Sequence, residues 1–162
     1  MRVYTRIVQD ADNDFEGCAA GNVRAAARVL TRRYDRALRG SGLRITQVAL
    51  LAQLRDRVWL SATELADRVV AERSGVTRDL ALLERSGLLT GRPRPGDRRV
   101  REVSLSTAGE AALRAASEGW RASQDAVTDA LGPDRAQLLV ALLADLVAAL
   151  TTPGAGEGSI DD

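Results

Sequence analysis

Ser61-Ala62-Thr63-Glu64-Leu65-Ala66-Asp67-Arg68-Val69, a break at Val70-Ala71-Glu72, then Ser74-Gly75-Val76-Thr77-Arg78-Asp79-Leu80-Ala81-Leu82-Leu83-Glu84-Arg85-Ser86-Gly87 is the stretch from which the fold is read. Ser61 stands three residues before Glu64, the spacing of a capping box that satisfies unpaired N–H groups at a helix start. Leu65 and Val69, four apart, mark the inward side of that helix. The three-residue break has the length of a tight turn. In the second helix Val76, Leu80 and Leu83 recur at i, i+4 and i+7 and form one inward stripe. At about 100° per residue, Ser74, Arg78, Ala81 and Arg85 project to the opposite side, with Thr77 on the flank; Leu82 also points outward. Gly87 ends the helix, because glycine accepts the left-handed conformation of a C-terminal cap.

Downstream lie Arg92-Pro93-Arg94-Pro95-Gly96-Asp97-Arg98-Arg99 and a strand-like Val100-Arg101-Glu102-Val103-Ser104-Leu105. From Arg92 to Arg101 there are five arginines and a single acid, Asp97. Two prolines and Gly96 make this a stiff turn between strands. Helix, tight turn, helix and basic hairpin is the order of parts in a winged helix-turn-helix. The outward face of the second helix suits a major groove: Arg forks onto guanine, hydroxyls reach bases or phosphates, and an Ala or Thr methyl touches thymine. A narrow minor groove attracts inserted Arg. A basic run in isolation is ordinarily a solvated face. Its position directly after the helix pair favours the DNA reading.

Leu83-Glu84-Arg85-Ser86-Gly87-Leu88-Leu89, followed by Asp97-Arg98-Arg99 and Val103-Ser104-Leu105-Ser106-Thr107-Ala108-Gly109, resembles the multiple-antibiotic-resistance regulator (MarR) family. That family's signature is a Leu-Glu-x-x-Gly-Leu exit from the recognition helix, an Asp-x-Arg wing and a Val-x-Leu-Thr-x-x-Gly return. Ser106 replaces the common Thr and keeps the hydroxyl. The resemblance extends over about Ala20 to Leu150. It implies a mainly α, α+β winged-helix fold: a winged helix-turn-helix DNA-binding lobe plus a helical dimerisation lobe formed by the N- and C-terminal helices. It further implies that Arg99 enters the minor groove, that Asp97 helps fix the wing, and that Ser74, Thr77 and Arg78 meet bases and phosphates. Ala81 and Arg85 share that face. Arg94 and Arg98 exceed the minimal pattern and are expected on phosphates.

Composition bounds the alternatives. A chain of 162 residues with 45% hydrophobic and 28% charged residues fits one soluble globular domain with a real core. The net charge is only +1, so nucleic-acid binding would rest on local clustering. Every basic residue is arginine, and 3% aromatics leaves little for stacking single-stranded RNA. No histidine and one cysteine exclude Ser-His-Asp and Cys-His catalysis, the usual zinc site and an internal disulfide. No enzyme activity, metal or cofactor is expected. With no apolar run of signal or membrane length, the expected compartment is the cytoplasm, with no membrane partner.

Residues 1–17 read as a loose arm, acidic at Asp10, Asp12, Asp14 and Glu16. Residues 18–45 and 107–150 read as the helical dimerisation region, 46–106 as the DNA-binding lobe, and 151–162 as a disordered, Gly-rich tail. Val23, Ala27, Leu30, Tyr34 and Leu38 share one face of a first helix. Thr46 reads as the N-cap of a second helix that buries Val48, Leu51, Leu54 and Val58. Thr107 and Glu110 have capping-box spacing before a long helix through Leu113, Ala116, Trp120, Val127 and Leu131. Gly132-Pro133 breaks it. The last helix, from Leu138 to Leu150, is apolar over more than one stripe, which calls for a second partner. A homodimer supplies one. Its two recognition helices would lie about 34 Å apart on double-stranded DNA and read a pseudo-palindromic operator. Repression by occupancy is the expected function.

For control, the resemblance implies a small aromatic or phenolic effector between the dimer helices and the DNA-binding lobe. Asn22, Arg28 and Trp120 are candidates to line that cleft; ordinary packing is the plainer role for each. Some members of the family sense peroxides through a cysteine near the start of the first helix, and Cys18 lies there. A helix N-terminus can make a thiol oxidisable. The tyrosine pair that accompanies such a thiol has no clear counterpart, and a buried, inert Cys18 beside Ala19 and Ala20 is the competing reading. A winged-helix interaction module without DNA binding is the third alternative.

Overall fold

The computed structural model describes residues 17–151. The expected N-terminal arm up to residue 16 and the expected tail from residue 152 lie outside the described residues. Helix α1 (Ala19–Ala37) runs into a single 3₁₀ turn, Leu38–Ser41, which Gly42 closes at φ 71°. Its apolar face is buried only towards the C-terminal end, at Tyr34 and Leu38, whereas Val23 is exposed.

Helix α2 (Ile45–Gln53) departs from expectation at both ends. It begins one residue before Thr46. Asp35 Oδ1 accepts the Ile45 N–H at 2.8 Å, and Gln47 Oε1 accepts the Arg44 N–H at 3.1 Å. Those two acceptors serve the first turn, so no cap by Thr46 is needed. At the other end Leu54 caps the helix and a 3₁₀ turn, Arg55–Arg57, follows, leaving Val58 outside α2. Val48, Leu51 and Leu54 are buried, and so is Leu50.

A two-residue strand β1 (Leu60–Ser61) leads into α3 (Ala62–Val69), α4 (Arg73–Arg85), β2 (Leu89–Arg94) and β3 (Asp97–Leu105). The sheet is antiparallel in the order β1-β3-β2. Strand β1 sets Leu60 opposite Val103 and Ser61 opposite Glu102. Strand β2 pairs from Leu89 opposite Leu105 to Pro93 opposite Arg101, and then Arg94 lies opposite Asp97. The register jump leaves Arg98, Arg99 and Val100 of β3 without counterparts on β2. Such irregularities re-aim side chains at the end of a hairpin.

One core joins these elements: Leu51, Leu54, Leu65, Val76, Leu80, Leu83, Leu89, Val103 and Leu105 cluster with Tyr34, Leu38, Leu43, Leu113 and Ala116. The end of α1 and the first turns of α5 (Thr107–Leu131) therefore share the winged lobe's core, across the boundaries drawn from the sequence at residues 46 and 106. Burial of Leu and Val side chains stabilises by about 1.5–3 kcal/mol each, which makes this cluster the main source of stability. At Gly119 a Cβ would stand 2.5 Å from the Ala37 carbonyl oxygen, so α5 and the end of α1 approach backbone to backbone.

The N-cap of α5 is Ser106, not Thr107: its Oγ accepts the Gly109 N–H at 3.0 Å. Gly109 is required because a Cβ there would collide with the Leu88 carbonyl. The chain forms two compact units, the first ending at Trp120 and the second starting at Arg121. Within the second, Gly132 at φ 82° ends α5 and Pro133 starts α6 (Pro133–Thr151). Helix α6 has no buried residue; Leu138, Val140, Leu142, Leu146 and Leu150 are among its exposed apolar side chains. No helix among the described residues is long and apolar enough to cross a membrane.

Candidate nucleic-acid interface

The helix pair is set by its ends. Ser61 Oγ accepts the Glu64 N–H at 3.3 Å, while Glu64 Oε2 accepts the Ser61 N–H at 2.8 Å and its hydroxyl at 2.7 Å. These bonds from Ser61, and behind them the Arg94 charge, hold the Glu64 carboxyl below the usual carboxylate range. Val70 closes α3 in the left-handed region at φ 50°, ψ 54° and turns the chain towards α4. Helix α4 ends in a Schellman motif: Leu88 N–H donates to Leu83 O and Gly87 N–H to Glu84 O, both at 2.9 Å, with Gly87 at φ 72°.

On α4, Val76, Leu80 and Leu83 are buried, and Ser74, Thr77, Arg78, Ala81 and Arg85 are all exposed. Thr77 Oγ1 donates to Arg73 O at 2.8 Å, which holds the hydroxyl against the preceding turn of the helix. Arg78 and Arg85 form no ion pair among the described residues. Leu82 is 45% exposed beside them. Arg73, exposed in the first turn, belongs to the same basic set. A cation immediately before the outward stripe was the available signal for it.

The wing sorts its five arginines into two kinds. Arg98 and Arg99 are exposed and form no ion pair among the described residues, and Asp97 Oδ1 accepts the Arg99 N–H at 3.1 Å. The other three are engaged. Arg92 Nε lies 3.3 Å from Glu102 Oε2, with its guanidinium carbon 4.0 Å from the Trp59 ring centroid. Arg101 Nη2 lies 2.8 Å from Glu84 Oε1. Arg94, expected on a phosphate, instead has Nε 2.7 Å from Glu102 Oε1 and Nη2 2.5 Å from Glu64 Oε2. Its Nε and Nη2 thus face carboxylates, while Nη1 makes no such contact among the described residues.

The candidate effector and redox residues lie at the start and middle of α1 and on α5. Asn22 is exposed, and its amide donates to Cys18 O at 3.0 Å, next to the start of α1. Arg28 is exposed six residues further on, about 120° round the helix. Trp120 is partly exposed on α5. An open cleft of about 580 Å³ lies elsewhere, among Trp59, Thr90, Ser104, Ser106 and Glu110. Cys18 is exposed among the described residues, where a buried, inert thiol is the competing expectation.

Among protein families, the one described as the MarR family matches residues 43–100. The transcriptional regulator MosR of M. tuberculosis, solved in complex with DNA, is 37% identical and superposes with a TM-score of 0.70 over 83% of this chain and 99% of MosR. The transcriptional repressor CouR, bound to a 23-mer DNA duplex, is 22% identical with a TM-score of 0.75 over 86% of this chain and 99% of its own. BpsR of Bordetella bronchiseptica, whose DNA binding is regulated by 6-hydroxynicotinic acid, is 21% identical with a TM-score of 0.74 over 82% of this chain and 94% of its own. The last two likenesses are of fold. No curated protein matches the chain.

Proposed function

The chain belongs to the MarR family of transcriptional regulators, not enzymes, and from that premise we propose that it represses transcription in the cytoplasm by occupying a pseudo-palindromic operator as a homodimer. The observation that carries this reading is the exposure of unpaired guanidinium groups on both parts of the winged lobe, Arg78 and Arg85 on α4 and Arg98 and Arg99 on the wing. Arg78 forks onto a guanine edge, and Ser74, Thr77 and Ala81 supply hydroxyl and methyl contacts beside it. Arg85 and Arg98 meet phosphates. Arg99 enters the minor groove, its backbone held by Asp97. The exposed apolar residues of α6 and of the first turns of α1 supply the surface for a second copy.

A small aromatic effector releases the operator by favouring a dimer shape that does not fit DNA. The regulation of BpsR by an aromatic acid supports that class of ligand. Arg28 would pair with its carboxylate or phenolate, and Asn22 and Trp120 would meet the rest. A thiol switch at Cys18 is a second reading, favoured by the exposure of that residue. Peroxide then lowers DNA affinity in the parent and not in Cys18→Ser.

The test is a titration against DNA flanking the protein's own gene at two salt concentrations. Arg99→Ala weakens binding to all sequences and lowers the salt slope by about one, whereas Arg78→Ala relaxes discrimination at particular bases. Two variants that bind like the parent overturn these roles.

A further inference from the structure

We propose that Arg94 is a positioning residue: clamped between Glu64 of α3 and Glu102 of β3, it fixes the wing, and with it Arg98 and Arg99, against the helix pair. The inference rests on the DNA-binding reading above for its consequence, but its geometry stands separately.

Both carboxylates are anchored. Glu64 is the capping-box partner of Ser61, so its side chain is fixed at the start of α3 before any contact with the wing. Glu102 sits on the central strand, opposite Ser61 of β1 and Arg92 of β2, and its side chain is only 8% exposed. A carboxylate that deep requires partners, and Arg92 and Arg94 provide them through its two oxygens. The Arg94 guanidinium uses Nε for one acid and Nη2 for the other, a planar fork that fixes direction as well as distance.

The location gives this clamp its effect. Arg94 is the last residue of β2, and the register jump lies between it and Pro93. Beyond it, Arg98, Arg99 and Val100 have no counterparts on β2, so ladder hydrogen bonds do not set their direction. Arg94 is therefore the tether at the base of the segment that carries the two unpaired arginines. The Arg101–Glu84 pair ties the opposite strand of the wing to α4 in the same manner. The half-exposed pair of Arg94 with Glu64 contributes little to global stability. Its effect falls on where the wing points.

The sign of one substitution separates positioning from simple charge. Glu64→Gln keeps an acceptor oxygen where Oε2 serves both the capping box and Arg94, but removes the negative charge that holds the guanidinium. Loss of that charge from the DNA-binding lobe by itself tightens DNA binding. Positioning demands the reverse: Glu64→Gln and Arg94→Gln each weaken binding roughly threefold, and the double variant is no weaker than either single one. Glu64→Gln binding as tightly as the parent, or single effects that multiply in the double variant, overturns the proposal. Hydrogen exchange of the amides in residues 89–105 gives a readout without DNA. Faster exchange in Glu64→Gln supports the clamp, and unchanged exchange overturns it. If the parent binds no DNA, the regulator reading fails by that result, and the exchange rates still decide the role of Arg94.

Discussion

Ser106 Oγ donates to the Gly87 carbonyl at 2.6 Å and accepts the Gly109 N–H at 3.0 Å, so one hydroxyl ties the exit of α4 to the start of α5. The Ser106 backbone N–H adds a bond to Leu88 O at 3.1 Å. Removing the hydroxyl leaves both a helix N–H and the carbonyl of the C-terminal cap without their partner. Ser106→Ala is therefore expected to lower unfolding free energy by about 1–2 kcal/mol in urea denaturation. Ser106→Thr, which keeps the hydroxyl, stays within about 0.5 kcal/mol of the parent. Equal losses in both variants refute the role of the hydroxyl.

The contrast between Ser106 and Thr107 shows how far the sequence could be read. Two hydroxyls stand side by side, and a Glu three residues after Thr107 favours the wrong one. The cap goes to the residue that also finds Gly87, nineteen positions upstream. Thr46 fails for a related reason: Asp35 on α1, ten residues earlier, takes the N–H at the helix start. Local periodicity did reveal the inward stripe of Val76, Leu80 and Leu83, the Ser61 cap and the Gly87 stop. It could not reveal β1, whose two residues are too short to show alternation. Nor could it separate the engaged wing arginines from the unpaired ones. Glu64 and Arg94 are thirty residues apart, and only the folded sheet brings them together.

Val70 carries a β-branched side chain at φ 50°, a conformation that disfavours any residue with a Cβ. The side chain is 60% exposed, so little burial compensates for the strain. Val70→Gly is expected to raise stability by about 1 kcal/mol, net of the greater chain entropy of glycine in the unfolded state. A rise in the urea midpoint at unchanged slope confirms it. A fall shows that Val70 makes contacts that outweigh the strain.

The depressed Glu64 carboxyl links stability to acid. A carboxylate whose folded pKa lies below its unfolded value, about 4.3, contributes stability above that value and loses it as pH falls through the folded pKa. The parent is thus expected to exceed Glu64→Gln in stability at pH 7. That gap closes as pH falls below about 4. Urea midpoints at pH 7 and pH 3 test the sign. A gap of equal size at both values places its origin outside the Glu64 charge.

The exposed apolar side chains of α6 are the best ground for the homodimer. Leu142 and Leu146 stand one helical turn apart and are 57% and 40% exposed. Val140 and Leu150 extend the surface further round and along the helix. A stripe on one side of α6 would need only one neighbour, and an apolar surface this broad is rarely left in water. Sedimentation of the full chain should give about twice its mass of 17.3 kDa. Leu142→Glu combined with Leu146→Glu places two carboxylates in the contact and should yield monomers. Because a dimer engages the second half-site at high effective concentration, the monomer is expected to bind a pseudo-palindromic operator about a hundredfold or more weakly. A parent that sediments as a monomer while bound to a single half-site removes the dimer and the operator symmetry together.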